Sequence, residues 1–196
     1  VRDGQKVVVV IDSWTDRHLN PVGHIIEVLG LPDELGVDVL SIVHSFDLPV
    51  DFPDAVEEEA RQLPHEIPAV ELSRRLDLRQ WLTFTIDPDD AKDFDDAVSL
   101  QVLENGHYRL GVHIADVSHF VQASSKTDQE AQVRGTSVYL VDRVLPMLPE
   151  RISNELCSLI PNQDKLCYSV IMELTPTGDM IDYKLQESVI HSHRRF

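Results

Sequence analysis

A cluster of aspartates between two apolar runs is the feature of this sequence that most constrains its fold. The stretch TFTIDPDDAKDFDDAVSL, residues 83–100, carries six aspartates within residues 87–96. Ile86 and Phe94 are interleaved with these acids, so the segment must be tied to the core while its carboxylates stay at the surface. A strand that ends near Ile86, a Pro-containing turn and a second strand from about Ala97 satisfy both demands.

Aspartates at a strand end and in the loop after it can converge on one point. Such carboxylates raise one another's pKa unless cations or protons neutralise them. Oxygen-only ligands suit Mg²⁺, Mn²⁺ or Ca²⁺ and do not suit zinc. An EF-hand does not fit, because counting from Asp87 places Lys92 where glycine is needed and Val98 where glutamate is needed. A solvated acidic loop without metal is the alternative interpretation.

The charge balance restricts the possible partners. The net charge of −17 argues against a surface that binds nucleic acid by bulk electrostatics alone. Any polyanion would have to be met locally, by metal ions or by basic groups. Arg74, Arg75 and Arg79 fit either RNA contacts or a salt-bridged surface. His113 and His119 match no regular metal spacing and are predicted to be structural.

The apolar pattern and the cysteines indicate a soluble, cytoplasmic protein with no membrane partner. No run approaches the roughly 20 apolar residues of a membrane span, and the first residues lack the features of a secretion signal. Cys157 and Cys167 have no companion pair, so they fit neither a disulfide framework nor a zinc site. They are predicted to be buried thiols.

The first part of the chain reads as a small β module followed by helices. Residues 6–11 and 23–29 are rich in β-branched residues and predict strands, and apolar spacing predicts a helix over 33–45. In PDAVEEEARQLP, Asp54 is predicted to cap a helix with Glu57 as its capping-box partner, and the proline after it ends the helix.

After Trp81 the pattern changes to strands with turns, which places a domain boundary near residues 65–80. Asn105-Gly106 joins two alternating apolar runs and predicts a hairpin. SSKTDQEAQVRG predicts a helix that starts at a serine and stops at Gly135, and two long strands flank a Thr-Gly-Asp turn. The fold class is therefore α+β or mixed α/β, with a largely antiparallel sheet and interspersed helices.

The acidic stretch resembles the signature of the RNB family, the ribonuclease II and ribonuclease R group of 3′-to-5′ exoribonucleases. The resemblance continues through RRLDLR, GVHIADVSHFV, RGTSVYLVDRVLPMLPERISNELCSLIPNQDKLC and GDMIDYKLQESVIHSHRRF, in the order expected of ribonuclease R. The first 60 or so residues resemble the cold-shock-type (OB-like) barrel that precedes the nuclease domain. The resemblance implies a partial barrel with a trailing helix over 1–65, a linker over 66–80 and the N-terminal part of the catalytic domain over 81–196.

The family's acidic active-site positions fall on Asp87, Asp93, Asp95 and Asp96. By resemblance, Asp87 and Asp96 are metal ligands, while Asp93 and Asp95 complete the site and help to activate water. The implied cofactor is Mg²⁺, with Mn²⁺ as a possible substitute. Asp89 and Asp90 are read as turn residues. Tyr139 matches the family tyrosine that packs near the 3′-terminal nucleotide, and a tyrosine facing the core is the alternative.

The resemblance implies hydrolysis of single-stranded RNA from its 3′ end to nucleoside 5′-monophosphates, with no DNA substrate. The family's nuclease domain is longer than the segment from Thr83 to Phe196, and its later half carries an essential arginine and more of the RNA channel. We therefore expect the 196-residue chain to be inactive on its own. Two alternatives stay open, a non-catalytic RNA-binding protein that kept the fold and an acidic metal-binding module unrelated to RNA.

Overall fold

The computed structural model describes all residues from 1 to 196. The chain forms two compact units: Val1–Phe52 with Arg134–Met147, and Pro53–Val133 with Leu148–Phe196. In chain order the elements are β1 Lys6–Ser13, β2 Val22–Gly30, α1 Val37–Ser45, α2 Asp54–Gln62, α3 Ala69–Arg74, β3 Leu76–Asp77, β4 Thr83–Thr85, β5 Asp96–Val102, β6 Tyr108–Ala115, α4 Val117–Phe120, α5 Lys126–Arg134, β7 Val138–Tyr139, β8 Val144–Leu145, a π-helix Arg151–Leu156, β9 Gln163–Leu174 and β10 Met180–Arg195. The predicted α+β class is confirmed.

The first unit is built on two short antiparallel sheets and one helix. β1 pairs with β2, and β7 pairs with β8. The helix α1 begins four residues later than predicted, because Gly36 takes the left-handed φ of +85° and the helix starts only after it. Val37 and Val43 of α1 are buried, whereas many apolar side chains of β1 and β2 are exposed.

The second unit contains a closed barrel of five strands. β4, β5, β6, β9 and β10 pair in sequence, and β10 then pairs in parallel with β4 to close the ring. All the other pairings in the ring are antiparallel. The antiparallel character was predicted, but the closure depends on one long-range parallel contact that no local pattern encodes.

The buried side chains of the barrel strands include many polar ones. Among them is a set of hydroxyl residues, Thr83, Thr85, Ser99, Ser169, Ser188 and Ser192. His113, fully buried, bridges two of them, with 2.9 Å from Nε2 to Ser99 Oγ and 2.7 Å from Nδ1 to Ser169 Oγ. Burial lowers the pKa of His113 to about 4, so the ring is neutral at pH 7. The structural interpretation of His113 is correct.

The arginines before the barrel form ion pairs. Arg75 has a side chain only 1% exposed, and it contacts Asp116 at 2.6 Å and Glu71 at 2.8 Å. Arg74 pairs with Glu71 at 2.6 Å, and Arg79 pairs with Asp77 at 2.7 Å. Of the two roles predicted for these arginines, RNA contacts or salt bridges, the structure therefore shows salt bridges.

The local helix and turn signals were partly right. The hairpin at Asn105-Gly106 is present with Gly106 at a φ of +80°, and Ser125 Oγ accepts from the Asp128 N–H at the start of α5. The predicted cap of α2 is wrong, because Asp54 is already the first helical residue, Pro53 precedes it, and no side chain caps the helix. Asp54 and Glu57 instead place negative charge in the first turn, where the helix dipole favours it.

Cys157 and Cys167 are buried and unpaired, as predicted. Burial raises the pKa of both thiols, that of Cys157 to about 12, so neither is a reactive thiolate at neutral pH. None of the helices has the length and apolar content needed to cross a membrane.

Candidate active site

The acidic loop, residues 87–96, joins β4 to β5 at one end of the barrel. The N–H of Asp87 donates to the carbonyl of Phe196 at 3.0 Å, and the N–H of Phe196 donates to the carbonyl of Thr85 at 2.9 Å. This pattern continues the β4–β10 pairing as far as Asp87. Asp96, at the other end of the loop, is the first residue of β5 and pairs with Ile114 of β6. The first predicted site residue is therefore hydrogen-bonded to Phe196 just beyond β4, and the last one begins β5.

The loop is anchored near its β5 end by a buried aromatic side chain. Phe94 is 6% exposed, and its backbone makes two bonds to the segment after the π-helix. Its N–H donates to Ser158 Oγ at 3.0 Å, and its carbonyl accepts from the N–H of Leu159 at 2.9 Å. The carbonyl of Asp95 accepts from the N–H of Ala115 of β6 at 2.9 Å. Phe94 thus ties the loop to the core, as the sequence predicted, whereas Ile86 is 73% exposed and does not.

Asp89 and Asp90 are exposed and lie in a turn in which the N–H of Ala91 donates to the carbonyl of Pro88 at 3.0 Å. This agrees with their interpretation as turn residues. The six aspartates thus fall into two groups, two at an exposed turn and four distributed toward the ends of the loop.

The electrostatics of the loop are those of carboxylates crowded together. Burial, and then the charges of Asp93, Asp96 and Asp87, raise the pKa of Asp95. Asp95 keeps solvent-exposed surface, so its pKa is raised by partial enclosure of the carboxyl group and not by full burial. Asp87 Oδ2 is buried without a hydrogen-bond partner. A buried carboxylate oxygen without a donor costs free energy that a bound cation would remove.

The donor set suits a hard divalent cation. No group of three or more His, Cys, Asp or Glu side chains stands in an arrangement that could already hold a metal ion. The chemistry of the loop nevertheless fits Mg²⁺ or Mn²⁺, because it offers carboxylate oxygens only and includes a buried one with no partner. Asp87, Asp93, Asp95 and Asp96 are the residues that would hold the ion.

Tyr139 belongs to the other unit, in the two-residue strand β7 that pairs with β8. The residue is 64% exposed, so the alternative of a tyrosine facing the core is wrong. An exposed aromatic ring can stack on a base of any identity.

Two residues that hold the loop were not predicted. Ser158 binds the loop from the segment after the π-helix, and Arg195 of β10 donates to the carbonyls of Asp87 and Pro88. Both are more than 60 residues from the loop in sequence, so only the tertiary fold brings them to it. A lone serine or arginine carries no local signal of such a role.

Residues 75–196 match the RNB domain, and residues 1–53 match a cold shock domain. The chain therefore belongs to the RNB family, and its first part is a cold-shock-like region.

Two relatives carry the comparison further. The chain is 50% identical over 191 residues to "Ribonuclease R 1" of Lactococcus lactis subsp. lactis (strain IL1403), covering 96% of this chain and 23% of that protein. It superimposes with a TM-score of 0.92 on Mycoplasma genitalium RNase R in complex with ribose methylated single-stranded RNA, at 31% identity, covering 100% of this chain and 30% of that one. The chain thus spans less than a third of the length of these two relatives.

A third comparison is with a more distant protein that shares the fold. The chain superimposes on yeast Ssd1, described as a pseudonuclease, with a TM-score of 0.76 at 21% identity, covering 98% of this chain and 25% of that one. At this identity only the fold is shared. Activity must therefore be argued from the acidic loop and not from the barrel.

Proposed function

We propose that this chain supplies the acidic part of the active site of a metal-dependent 3′-to-5′ exoribonuclease, which hydrolyses single-stranded RNA to nucleoside 5′-monophosphates in the cytoplasm and does not use DNA. The observation that carries the proposal is the acidic loop itself. Four aspartates lie from the end of β4 to the first residue of β5 in an RNB-family chain, and one of them has a buried oxygen without a partner.

Asp87, Asp93, Asp95 and Asp96 would hold Mg²⁺, or Mn²⁺ in its place. When bound, such ions lower the pKa of water and neutralise charge at the scissile phosphate. Their side chains contribute acceptor oxygens from a loop whose backbone is hydrogen-bonded at Asp87, Phe94 and Asp95, which reduces the reorganisation needed when RNA binds. Asp87 and Asp96 are the proposed ligands at the strand ends, and Asp93 and Asp95 complete the site and accept hydrogen bonds from the attacking water.

RNA is the proposed partner, and the Mycoplasma genitalium relative has been solved with single-stranded RNA. The exposed ring of Tyr139 supports a role in stacking on a base near the 3′ end. Stacking is indifferent to base identity, which suits an enzyme that degrades RNA of any sequence. A metal site also answers the objection from the net charge of −17, because cations and not lysines would meet the phosphate.

A segment exchange tests the proposal on hydrolysis. The matching region of the Lactococcus ribonuclease R would be replaced by this chain, and labelled single-stranded RNA would be incubated with Mg²⁺ and resolved by length. We expect shortening from the 3′ end, and a loss of roughly 10²–10³-fold on Asp95→Asn. Asp89→Asn, in the same loop but outside the proposed site, should retain activity.

Two results would contradict the proposal. A folded but inert chimera would favour a non-catalytic module, and full activity of Asp95→Asn would place the site elsewhere. The 196-residue chain assayed alone should produce no shortening, because it spans only about a quarter of the length of its relatives. A 3′ ladder from that chain would show that the remaining length is not needed.

A further inference from the structure

The acidic loop has to remain in place although its side chains repel one another. Six aspartates lie within its ten residues, 87–96. Repulsion of this kind drives a flexible loop to spread its charges apart. Hydrogen bonds to the carboxylates would occupy the oxygens that a cation needs. Hydrogen bonds to the backbone can hold the loop without occupying those oxygens.

Ser158 anchors the backbone in this way at the end of the loop nearer β5. Its side chain is completely buried, and its hydroxyl accepts from the N–H of Phe94 at 3.0 Å and donates to the carbonyl of Lys92 at 2.7 Å. One hydroxyl therefore pairs with the N–H of Phe94 and with the carbonyl of Lys92, the two residues that flank Asp93. Neither bond uses a carboxylate.

Ser158 is itself held in place by the segment that carries it. The π-helix before it closes with a bond from the N–H of Cys157 to the carbonyl of Ile152 at 2.9 Å. The buried Lys165 donates from Nζ to the carbonyl of Glu155 in the last turn. Ile152 and Leu159, on either side of Ser158, are both fully buried. The anchor is therefore rigid, because it is part of the packed core.

Arg195 is the corresponding anchor at the other end of the loop. Its guanidinium donates to the carbonyl of Pro88 and lies 3.5 Å from the carbonyl of Asp87. The same group lies 5.0 Å from the centre of the Phe94 ring. Arg195 thus contacts both the start of the loop and the aromatic side chain near its end.

We propose that Ser158 and Arg195 form a clamp that positions the acidic loop for cation binding, by holding its backbone and not its carboxylates. Both are positioning residues and not ligands. The proposal rests on the metal site of the proposed function, but the ordering of the loop can be measured without any metal. Failure of the clamp and failure of the metal site therefore give different results.

The first experiment measures amide hydrogen exchange in the 196-residue chain without metal. Ser158→Ala removes both hydrogen bonds and should raise exchange across the acidic loop by at least roughly tenfold. Ser188→Ala is the matched control, since Ser188 is equally buried and hydrogen-bonded but lies within the barrel. It should leave exchange in the loop unchanged. Equal exchange in the loop of Ser158→Ala and the parent would overturn the clamp.

The second experiment measures Mn²⁺ affinity by calorimetry on the same variants. Ser158→Ala should weaken binding by at least roughly tenfold, because two buried hydrogen bonds to the loop are lost, whereas Ser188→Ala should not weaken it. A looser loop with unchanged Mn²⁺ affinity would overturn the positioning role. Absence of Mn²⁺ binding in the parent would instead refute the metal site, and the exchange experiment would still decide whether the clamp orders the loop.

Arg195 provides a second route if Ser158→Ala does not fold. Arg195→Ala should loosen residues 87–94 and weaken Mn²⁺ binding, and Arg195→Lys should restore part of both by keeping a donor for the carbonyls. Arg194→Ala is the control, because Arg194 is the adjacent, exposed arginine of the same strand. If Arg194→Ala and Arg195→Ala have the same effect, bulk charge explains the result and the clamp is wrong.

Discussion

Two groups of acidic residues in the same unit have opposite environments. Glu71 and Asp116 surround the buried guanidinium of Arg75, and hydrogen bonds from Arg74 and Arg75 lower the pKa of Glu71 to about 2. Burial alone would raise the pKa of Asp116, but hydrogen bonds from Ser118 and Arg75 lower it. In the acidic loop, burial and neighbouring aspartates raise the pKa of Asp95.

This difference distinguishes carboxylates that stabilise the fold from carboxylates that a bound cation would stabilise. An acid whose charge is already balanced by arginine gains little from a cation. An acid beside other acids is destabilised until a cation or a proton arrives. The arginine-paired group therefore links α3 to the segment after β6, while in the acidic loop the carboxyl of Asp95 lies near other acids.

The largest expected effect comes from breaking the arginine-paired group. Arg75→Met leaves Asp116 and Glu71 without their shared buried partner and should lower the free energy of unfolding by about 3–5 kcal/mol. Arg79→Met, which removes pairs on the surface, should cost less than about 1 kcal/mol. Urea unfolding at pH 7 measures both. Similar costs for the two variants would mean that burial does not distinguish these ion pairs.

A smaller effect concerns His113, which has no charged partner in the barrel. Its pKa is about 4 in the fold and about 6.5 when unfolded, so the unfolded chain binds the proton first as the pH falls. Stability is therefore fully present above pH 6.5 and should decline by about 3 kcal/mol between pH 6.5 and 4.

The variant His113→Gln isolates this contribution, because its unfolding free energy should lose that part of the pH dependence. His107→Gln is the control, since His107 lies at the surface beside Glu173. Urea unfolding from pH 7.5 to 4 measures the three slopes. Parallel curves for the parent and His113→Gln would show that the barrel accommodates a charged His113.

How much of the fold could be read from the sequence depends on the range of the interactions. The hairpin at Asn105-Gly106 and the ties of the acidic loop through Phe94 follow from patterns a few residues long, and both were predicted. The barrel closure was not, because it requires β10 to meet β4 across about 100 residues of chain. The cap of α2 was wrong because Pro53 occupies the cap position, so the helix includes Asp54 itself.

The candidate site likewise contains residues that a short sequence motif identifies and residues that only the tertiary fold brings together. Its four aspartates lie within one short motif, so the sequence identifies them by resemblance. Ser158 and Arg195 reach the loop from distant segments, and only the fold places them there. The domain boundaries 1–65, 66–80 and 81–196 remain a prediction, and α3 and β3 lie within the segment that was read as a linker.

The smallest expected effect is a gain in stability. Asp95→Asn removes a charge that its neighbours oppose, so without metal it should raise the free energy of unfolding by up to about 1 kcal/mol, since solvent screens part of the repulsion. The gain should vanish as the pH falls through the raised pKa of Asp95, because the parent carboxyl is then protonated too. Asp89→Asn, at the exposed turn, should change nothing. Destabilisation by Asp95→Asn at pH 7 would contradict the crowded-charge description of the loop.

The central claim is that the acidic loop binds a divalent cation, and the melting temperature in Mn²⁺ tests it most directly. Saturating Mn²⁺ at about 100 times the dissociation constant should stabilise the parent by about 2.7 kcal/mol through mass action. The double variant Asp87→Asn/Asp96→Asn should show no such rise, whereas Asp89→Asn/Asp90→Asn should respond as the parent does. If the Asp87/Asp96 variant gains as much from Mn²⁺ as the parent, the cation binds elsewhere and the acidic loop is not the metal site.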